Sequence, residues 1–346
     1  MGKKAALLIN LGSPDSTSVK DVKEYLREFL TDERVIDQAF VRKVIVPLII
    51  LNTRPKKSAE AYSSIWTDEG SPLIVTTEHQ RERVEESASV PVYMAMRYAN
   101  PSIPDVLQKM VADGIDSVFV IPLYPQYAMS SYETVVVKVV ESIREAGLNL
   151  DVDFLQPFYN DDSYLDILAD SMRPAVERGM DKLLFSFHGI PERHLRVSDP
   201  SHAHCLVTPN CCEKANPAHN TCYRHQCFYV VKEVAKRLKL EQEQYFVSFQ
   251  SRLGRDPWLR PYTDKTLEEW GKAGIQSVKI ACPAFTTDCL ETLEEIDEEG
   301  REIFIENGGK EFEMIPCLNE DPRWIQWLVH QIENWTKASE TAGAVR

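Results

Sequence analysis

Leu183–Phe187 is a short apolar run that delivers one histidine, His188, to a break made by Gly189 and Pro191. An open α/β sheet presents reactive side chains at the carboxyl ends of its strands in this way. A neutral imidazole there can accept a proton near pH 7. The same pattern also suits a packed core histidine, so the stretch alone is compatible with both roles.

A second group follows the apolar run Ser277–Cys282. Between Asp288 and Glu299, helical spacing puts Glu291, Glu295 and Glu298 or Glu299 on one face, with Leu290, Leu293 and Ile296 turned to the other. Such a row is either a solvated acidic surface or a track of oxygen ligands for a hydrated divalent cation.

The third group is Cys205, Cys211, Cys212, Cys222 and Cys227, five of the chain's eight cysteines within 23 positions. The surrounding His, Pro and Asn residues have no helical or strand period, so a bound metal is a physical reason for order there. No tight Cys-x2-Cys pair of the zinc type is present, and Cys222-x4-Cys227 resembles part of a plant-type 2Fe-2S spacing. Spacing leaves zinc and iron-sulfur open. The favoured ligand set is Cys205, Cys212, Cys222 and Cys227, with Cys211 as the alternative. A fourth group, Arg252, Arg255, Trp258 and Arg260, lies in a polar loop after another strand, a combination that suits the carboxylates of a flat ligand as well as a plain surface loop.

The elements that must position these groups alternate along the chain. Strands are expected at 5–11, 90–96, 117–123, 151–155, 182–187, 245–249 and 277–282, with helical stretches between them, which is a doubly wound α/β pattern occurring twice. The 346 residues, 43% of them hydrophobic, suffice for two cores. We place the domains at 1–157 and 158–320, with the cysteine-rich insert at 199–227 and a final helix in 321–346 returning to the first domain. No Gly-x-Gly-x-x-Gly or Gly-x-x-x-x-Gly-Lys loop follows any strand, which argues against a nucleotide enzyme. A net charge of −14 argues against general nucleic-acid binding. The apolar segment 40–53, flanked by Arg42, Lys43, Arg54, Lys56 and Lys57, fits a buried helix or a lip against a membrane or greasy ligand. Its longest apolar run is far short of the ~20 residues that span a bilayer. The chain start reads as a strand rather than a secretion signal, so a cytoplasmic protein with metal-bound or buried thiols is expected.

Taken together, the segments Asn10–Asp15, Met96–Tyr98, Pro122–Tyr127, Ser186–Pro191, Phe249–Arg252, Asp256–Leu259 and Phe285–Leu293 closely resemble the ferrochelatases, lyases that insert ferrous iron into a porphyrin in the last step of haem synthesis. The resemblance implies two Rossmann-like domains of chelatase type with the porphyrin in a cleft. It implies His188 and Glu291 as catalytic residues, and Asp288 and Glu295 with them as an iron path. Arg97, Tyr98, Tyr124, Trp258 and Phe285 are then porphyrin contacts, and the Arg97-Tyr98 pair looks like the protoporphyrin-using branch. Segment 40–53 looks like the lip that gives some members peripheral contact with the inner membrane. Cysteines in an insert after the histidine look like those of bacterial members with a 2Fe-2S cluster. One departure is Ala99, where the family has glycine. Against the chelatase stands a carrier of porphyrin or haem, or an iron-sulfur redox protein without turnover.

Overall fold

The computed structural model describes residues 2–252, 254 and 256–343, with side chains described up to residue 338. The chain divides into two units. One comprises residues 1–123, 129–156 and 319–346, and the other 124–128 and 157–318. Each contains a four-stranded, wholly parallel sheet flanked by helices, the doubly wound α/β arrangement.

In the first unit the order is β2-β1-β3-β4, with β1 at Lys3–Asn10, β2 at Val92–Met96, β3 at Ile115–Pro122 and β4 at Asp151–Phe154. Ala5 through Ile9 are fully buried, which is what a central strand covered on both faces requires. The helix Pro322–Gly343 belongs to this unit: Trp335 stacks on Phe119 at 5.3 Å, and its indole N–H donates to Asp153 at 2.8 Å.

The segment expected as a buried helix or a lip is a π-helix, Val41–Ile50, containing Pro47. Proline has no N–H to donate and its ring crowds the preceding turn, so the wider turn accommodates it. Phe40, Leu48 and Ile49 are 68%, 69% and 52% exposed, so burial does not account for the segment's apolarity. Among the described residues, no helix is long and apolar enough to cross a membrane.

In the second unit the order is β6-β5-β7-β8, with β5 at Lys182–His188, β6 at Tyr245–Gln250, β7 at Ser277–Ala281 and β8 at Glu311–Met314. The sequence did not announce β8: four residues, Glu-Phe-Glu-Met, with two glutamates, give too little apolar pattern, and it survives as an edge strand beside β7. The stretch 124–128 also departs from a single cut near 157. Gln126 donates to the carbonyl of Pro283 at 3.1 Å, and Tyr127 N–H donates to Gln226 at 2.7 Å, which ties the stretch to the second unit.

Ala99 adopts a left-handed conformation, φ 60°. For an L-residue this costs ~1–2 kcal/mol, against ~0.5–1 kcal/mol of extra chain entropy that glycine loses on folding. Ala99→Gly should therefore stabilise the protein by about 0.5–1 kcal/mol, read as an upward shift in a denaturant midpoint; an unchanged or lowered midpoint would contradict the strain.

Candidate active site and cysteine insert

β5 ends at His188, opposite Gln250 at the end of β6. Gly189 N–H donates to the Gln250 carbonyl at 2.7 Å, and a Cβ on Gly189 would stand 2.7 Å from that same oxygen and 3.3 Å from Trp258 Cε3. Only glycine fits this approach. His188 Nδ1 lies 2.6 Å from the Gly189 carbonyl oxygen. A carbonyl only accepts, so Nδ1 carries the hydrogen, and the neutral ring keeps its lone pair on Nε2. The Tyr223 hydroxyl donates to the backbone carbonyl of His188 at 2.9 Å.

Gln250 is buried and acts as a hub that the sequence reading passed over. Its side-chain oxygen accepts from Ser186 Oγ at 2.7 Å, and its nitrogen donates to the Glu291 carbonyl at 2.7 Å and to Glu295 at 3.4 Å. Ser251, in a left-handed conformation, donates to Glu295 as well. The signal that could have found these two is their position: they follow the strand paired with the one ending in His188.

The acidic helix departs from α spacing. Leu290–Thr292 is a single α turn that continues as a π-helix, Leu293–Gly300. Glu291 and Glu295 are half-buried, with Glu295 within electrostatic reach of His188 and of Glu291, whereas Glu298 and Glu299 are exposed, so the row does not continue as one uniform face. Burial pushes the Glu295 carboxyl above its ordinary value; hydrogen bonds from Ser251 and Gln250 and the charge of His188 pull the other way, and Glu291 adds to the rise. Asp288, expected on the iron path, is buried just before the helix, whose N-cap is Cys289: its Oδ1 accepts from Thr292 Oγ1 at 3.0 Å and from Cys317 N–H at 3.3 Å.

Phe285 packs on the second unit's core and presents its ring edge-on to His188, with centroids 6.5 Å apart. Trp258 bridges to Pro191, and its indole nitrogen is buried without a hydrogen-bond partner. Tyr124 is half-buried in the tied stretch 124–128. Arg252 and Arg260 both lie over the ring of Tyr262, at 4.5 and 5.5 Å; Arg255 lies outside the described residues.

Arg97 and Tyr98, expected as porphyrin contacts, lie enclosed in the first unit. Tyr98 has no exposed surface; its hydroxyl donates to Asp32 at 2.9 Å and its ring meets Phe29 edge-on at 5.1 Å. Arg97 pairs with Asp32, donates to Thr134 Oγ1 at 2.7 Å and lies over the Tyr98 ring at 4.3 Å. Burial alone would raise the Asp32 carboxyl, but bonds from Thr134, the Arg34 N–H and Tyr98, with the Arg97 charge, hold it below its ordinary value. Arg97 thus forms a buried ion pair with Asp32, and Tyr98 hydrogen-bonds to the same carboxylate.

In the insert the side chains of Cys205, Cys211, Cys212 and Cys222 lie near one another, Cys222 beside Cys205 and Cys212, and Cys212 beside Cys211. Arg224 Nη1 lies 3.8 Å from Cys212 Sγ. Buried Asp199 holds the start of the insert, accepting from the N–H groups of Ser201, His204 and Cys205 at 2.8–2.9 Å. Cys227, favoured from its spacing, is instead fully buried in the helix Tyr223–Leu238 against the Tyr223 hydroxyl. Among the described residues, no three His, Cys, Asp or Glu side chains stand in the arrangement of a formed metal site.

The sequence profile of the ferrochelatase family matches residues 3–335. A ferrochelatase of Opitutus terrae is 49% identical over 98% of this chain and 99% of its own. One of Pseudomonas entomophila is 48% identical over 96% and 100%. Among solved structures, SirB from Bacillus subtilis with Fe3+ aligns over 98% of both chains with a TM-score of 0.53 at 13% identity, a likeness of fold. The sirohydrochlorin chelatase SirB in complex with cobalt, from the subspecies spizizenii, gives 0.54 at 10% identity, over 98% of this chain and 97% of its own.

The raised Glu295 carboxyl has a pH consequence. Between its ordinary value of 4.5 and the raised folded value, the folded state binds more protons than the unfolded one, so this group's contribution to stability falls as pH rises through that window. Wild type should therefore lose ground to Glu295→Gln in thermal unfolding as pH rises from about 4.5 toward neutrality. A constant difference between the two would contradict the assigned cause.

Proposed function

The chain belongs to the ferrochelatase family, and on that premise we propose that it inserts ferrous iron into protoporphyrin IX, with His188 as the base for the pyrrole protons. A chelatase of haem biosynthesis must strip water from the metal ion and remove two protons from ring nitrogens. The observation that carries the proposal is His188 itself: with Nδ1 bound to the Gly189 carbonyl, Nε2 keeps its lone pair on a ring that is close enough to Glu295 to influence its carboxyl and that meets Phe285 edge-on.

In this mechanism Nε2 of His188 accepts a pyrrole proton. Glu295, whose burial favours the protonated form, receives protons passed along, and Glu291 guides the metal ion or relays protons with it. Phe285, Trp258 and Tyr124 form aromatic surface for the ring, and the partnerless indole N–H of Trp258 suits an acceptor on the ligand. Binding a puckered ring better than a flat one would expose a nitrogen lone pair to the incoming ion. The choice of protoporphyrin over coproporphyrin rests on the resemblance of the Arg97-Tyr98 pair to that branch of the family, not on a contact of these side chains with the ring. The exposed Phe40, Leu48 and Ile49 between basic flanks support peripheral contact with the inner membrane.

The insert supports a 2Fe-2S cluster on Cys205, Cys211, Cys212 and Cys222. The fit lies in the donor set: four neighbouring thiols in a segment without an apolar period of its own. When bound, such a cluster supplies a one-electron centre. Cys227, turned to Tyr223, drops out of the set.

His188→Ala and Glu291→Gln should each lower turnover of protoporphyrin with ferrous iron by ~10²-fold or more, followed by the change in the porphyrin spectrum without oxygen; near-normal turnover in either would refute its role. Wild type should convert many equivalents of porphyrin, whereas a carrier would stop at one. Cys222→Ser should lose bound iron and sulfide while Cys227→Ala keeps them; the opposite result would restore the set chosen from spacing, and a colourless protein with one zinc would replace the cluster.

A further inference from the structure

Three imidazoles of the insert converge on one pair of carbonyls. His204 Nε2 and His219 Nε2 each lie 2.8 Å from the carbonyl oxygen of Cys211, and His225 Nδ1 lies 2.8 Å from that of Cys212. Carbonyl oxygens only accept, so each of these ring nitrogens carries the hydrogen. The rings also support one another: His219 and His225 stack with centroids 3.6 Å apart and planes 12° from parallel, and His204 lies 5.4 Å from His219. Gln226 fixes the strand of chain that carries His219, donating to the carbonyls of His219 and Asn220 at 3.0 and 3.1 Å.

Neighbouring cysteines present a particular difficulty. Successive side chains along a chain diverge, so two adjacent thiols reach one site only if the backbone between and around them is held in a specific shape. Asn210, just before the pair, is already in a left-handed turn. The insert has no regular ladder to fix Cys211 and Cys212, and the imidazole N–H groups occupy the carbonyls that such a ladder would have used.

We propose that His204, His219 and His225 are positioning residues for the Cys211-Cys212 pair, and that their hydrogen bonds to its carbonyls hold both thiols toward Cys205 and Cys222 for ligation. The inference rests on the cluster reading above. It separates two properties of each histidine, the N–H it donates and the ring it stacks.

The test uses the full-length protein, reconstituted without oxygen with ferrous iron and sulfide. Iron and sulfide per chain are measured, then the rate at which the visible cluster bands disappear in a chelator. His219→Phe and His225→Phe keep a ring and lose the donor. His219→Gln and His225→Asn keep a donor nitrogen near the original Nε2 and Nδ1 positions and lose the ring. Outer-shell partners of this kind are worth 10–100-fold in metal affinity, so the Phe variants should lose the cluster at least ~10-fold faster than wild type, with the Gln and Asn variants close to wild type. Equal loss from the Phe variants and wild type would overturn the positioning role, as would loss from the Gln and Asn variants equal to that from the Phe variants. Absence of iron and sulfide from wild type after reconstitution would instead overturn the cluster reading, and the inference with it. Far-ultraviolet circular dichroism of each variant separates these results from global unfolding.

Discussion

The contact on which the second unit's site depends is the junction of two strand ends, His188-Gly189 against Gln250. One backbone hydrogen bond of 2.7 Å closes it, and the space is too small for a Cβ. Everything chemical in the unit is referred to this junction. His188 leaves β5 there, Trp258 packs on Gly189, and the Gln250 side chain reaches from β6 to both carboxylate-bearing turns of the acidic helix. Because Gln250 is buried, each bond it makes excludes water as a competitor, and its loss would leave several buried groups without partners at once. The imidazole and the carboxylates are therefore set relative to each other by the sheet rather than by flexible loops.

Irregular helix is the second constraint. The wider π turn at Leu293–Gly300 takes the acidic residues out of the α register, so that Glu295 turns inward to Ser251 and Gln250 while Glu298 and Glu299 stay in water. A desolvated carboxylate and solvated ones in a single short helix differ in their hold on protons and on cations. At Val41–Ile50 the same kind of turn has another origin, the proline at its centre, and leaves large apolar side chains outward.

Much of this was legible in the residues. Seven of the eight strands among the described residues were expected: the central ones are apolar nearly throughout, as buried parallel strands must be, whereas the edge strand Asp151–Phe154 alternates acidic and apolar residues. His188 stood out at the end of one such apolar run. What could not be read were matters of three-dimensional proximity. Asp288 looks like any other member of an acidic row until its oxygen is seen to accept from Thr292 and the Cys317 N–H. Tyr98 reads as a ligand contact, and its full burial against Asp32 is visible only in three dimensions. Among the cysteines, sequence separation says nothing of which side of a helix faces the other thiols, so spacing alone could not show Cys211 beside Cys212 or Cys227 beside Tyr223. The π turn at Leu293–Gly300, which has no proline, leaves no such mark in the residues.

The position of the cysteine insert has an evolutionary consequence. It lies within the crossover that leaves β5 at His188 and returns through the helix Tyr223–Leu238 to β6. Closing a longer connection costs only ~0.6 kcal/mol for each doubling of its length, so segments can be gained or shed here without disturbing strand order. The restriction falls on the exit: Tyr223 must still bring its hydroxyl to the His188 carbonyl. Lineages are thus free to vary what the crossover carries, provided the first turn of the returning helix stays where the histidine needs it.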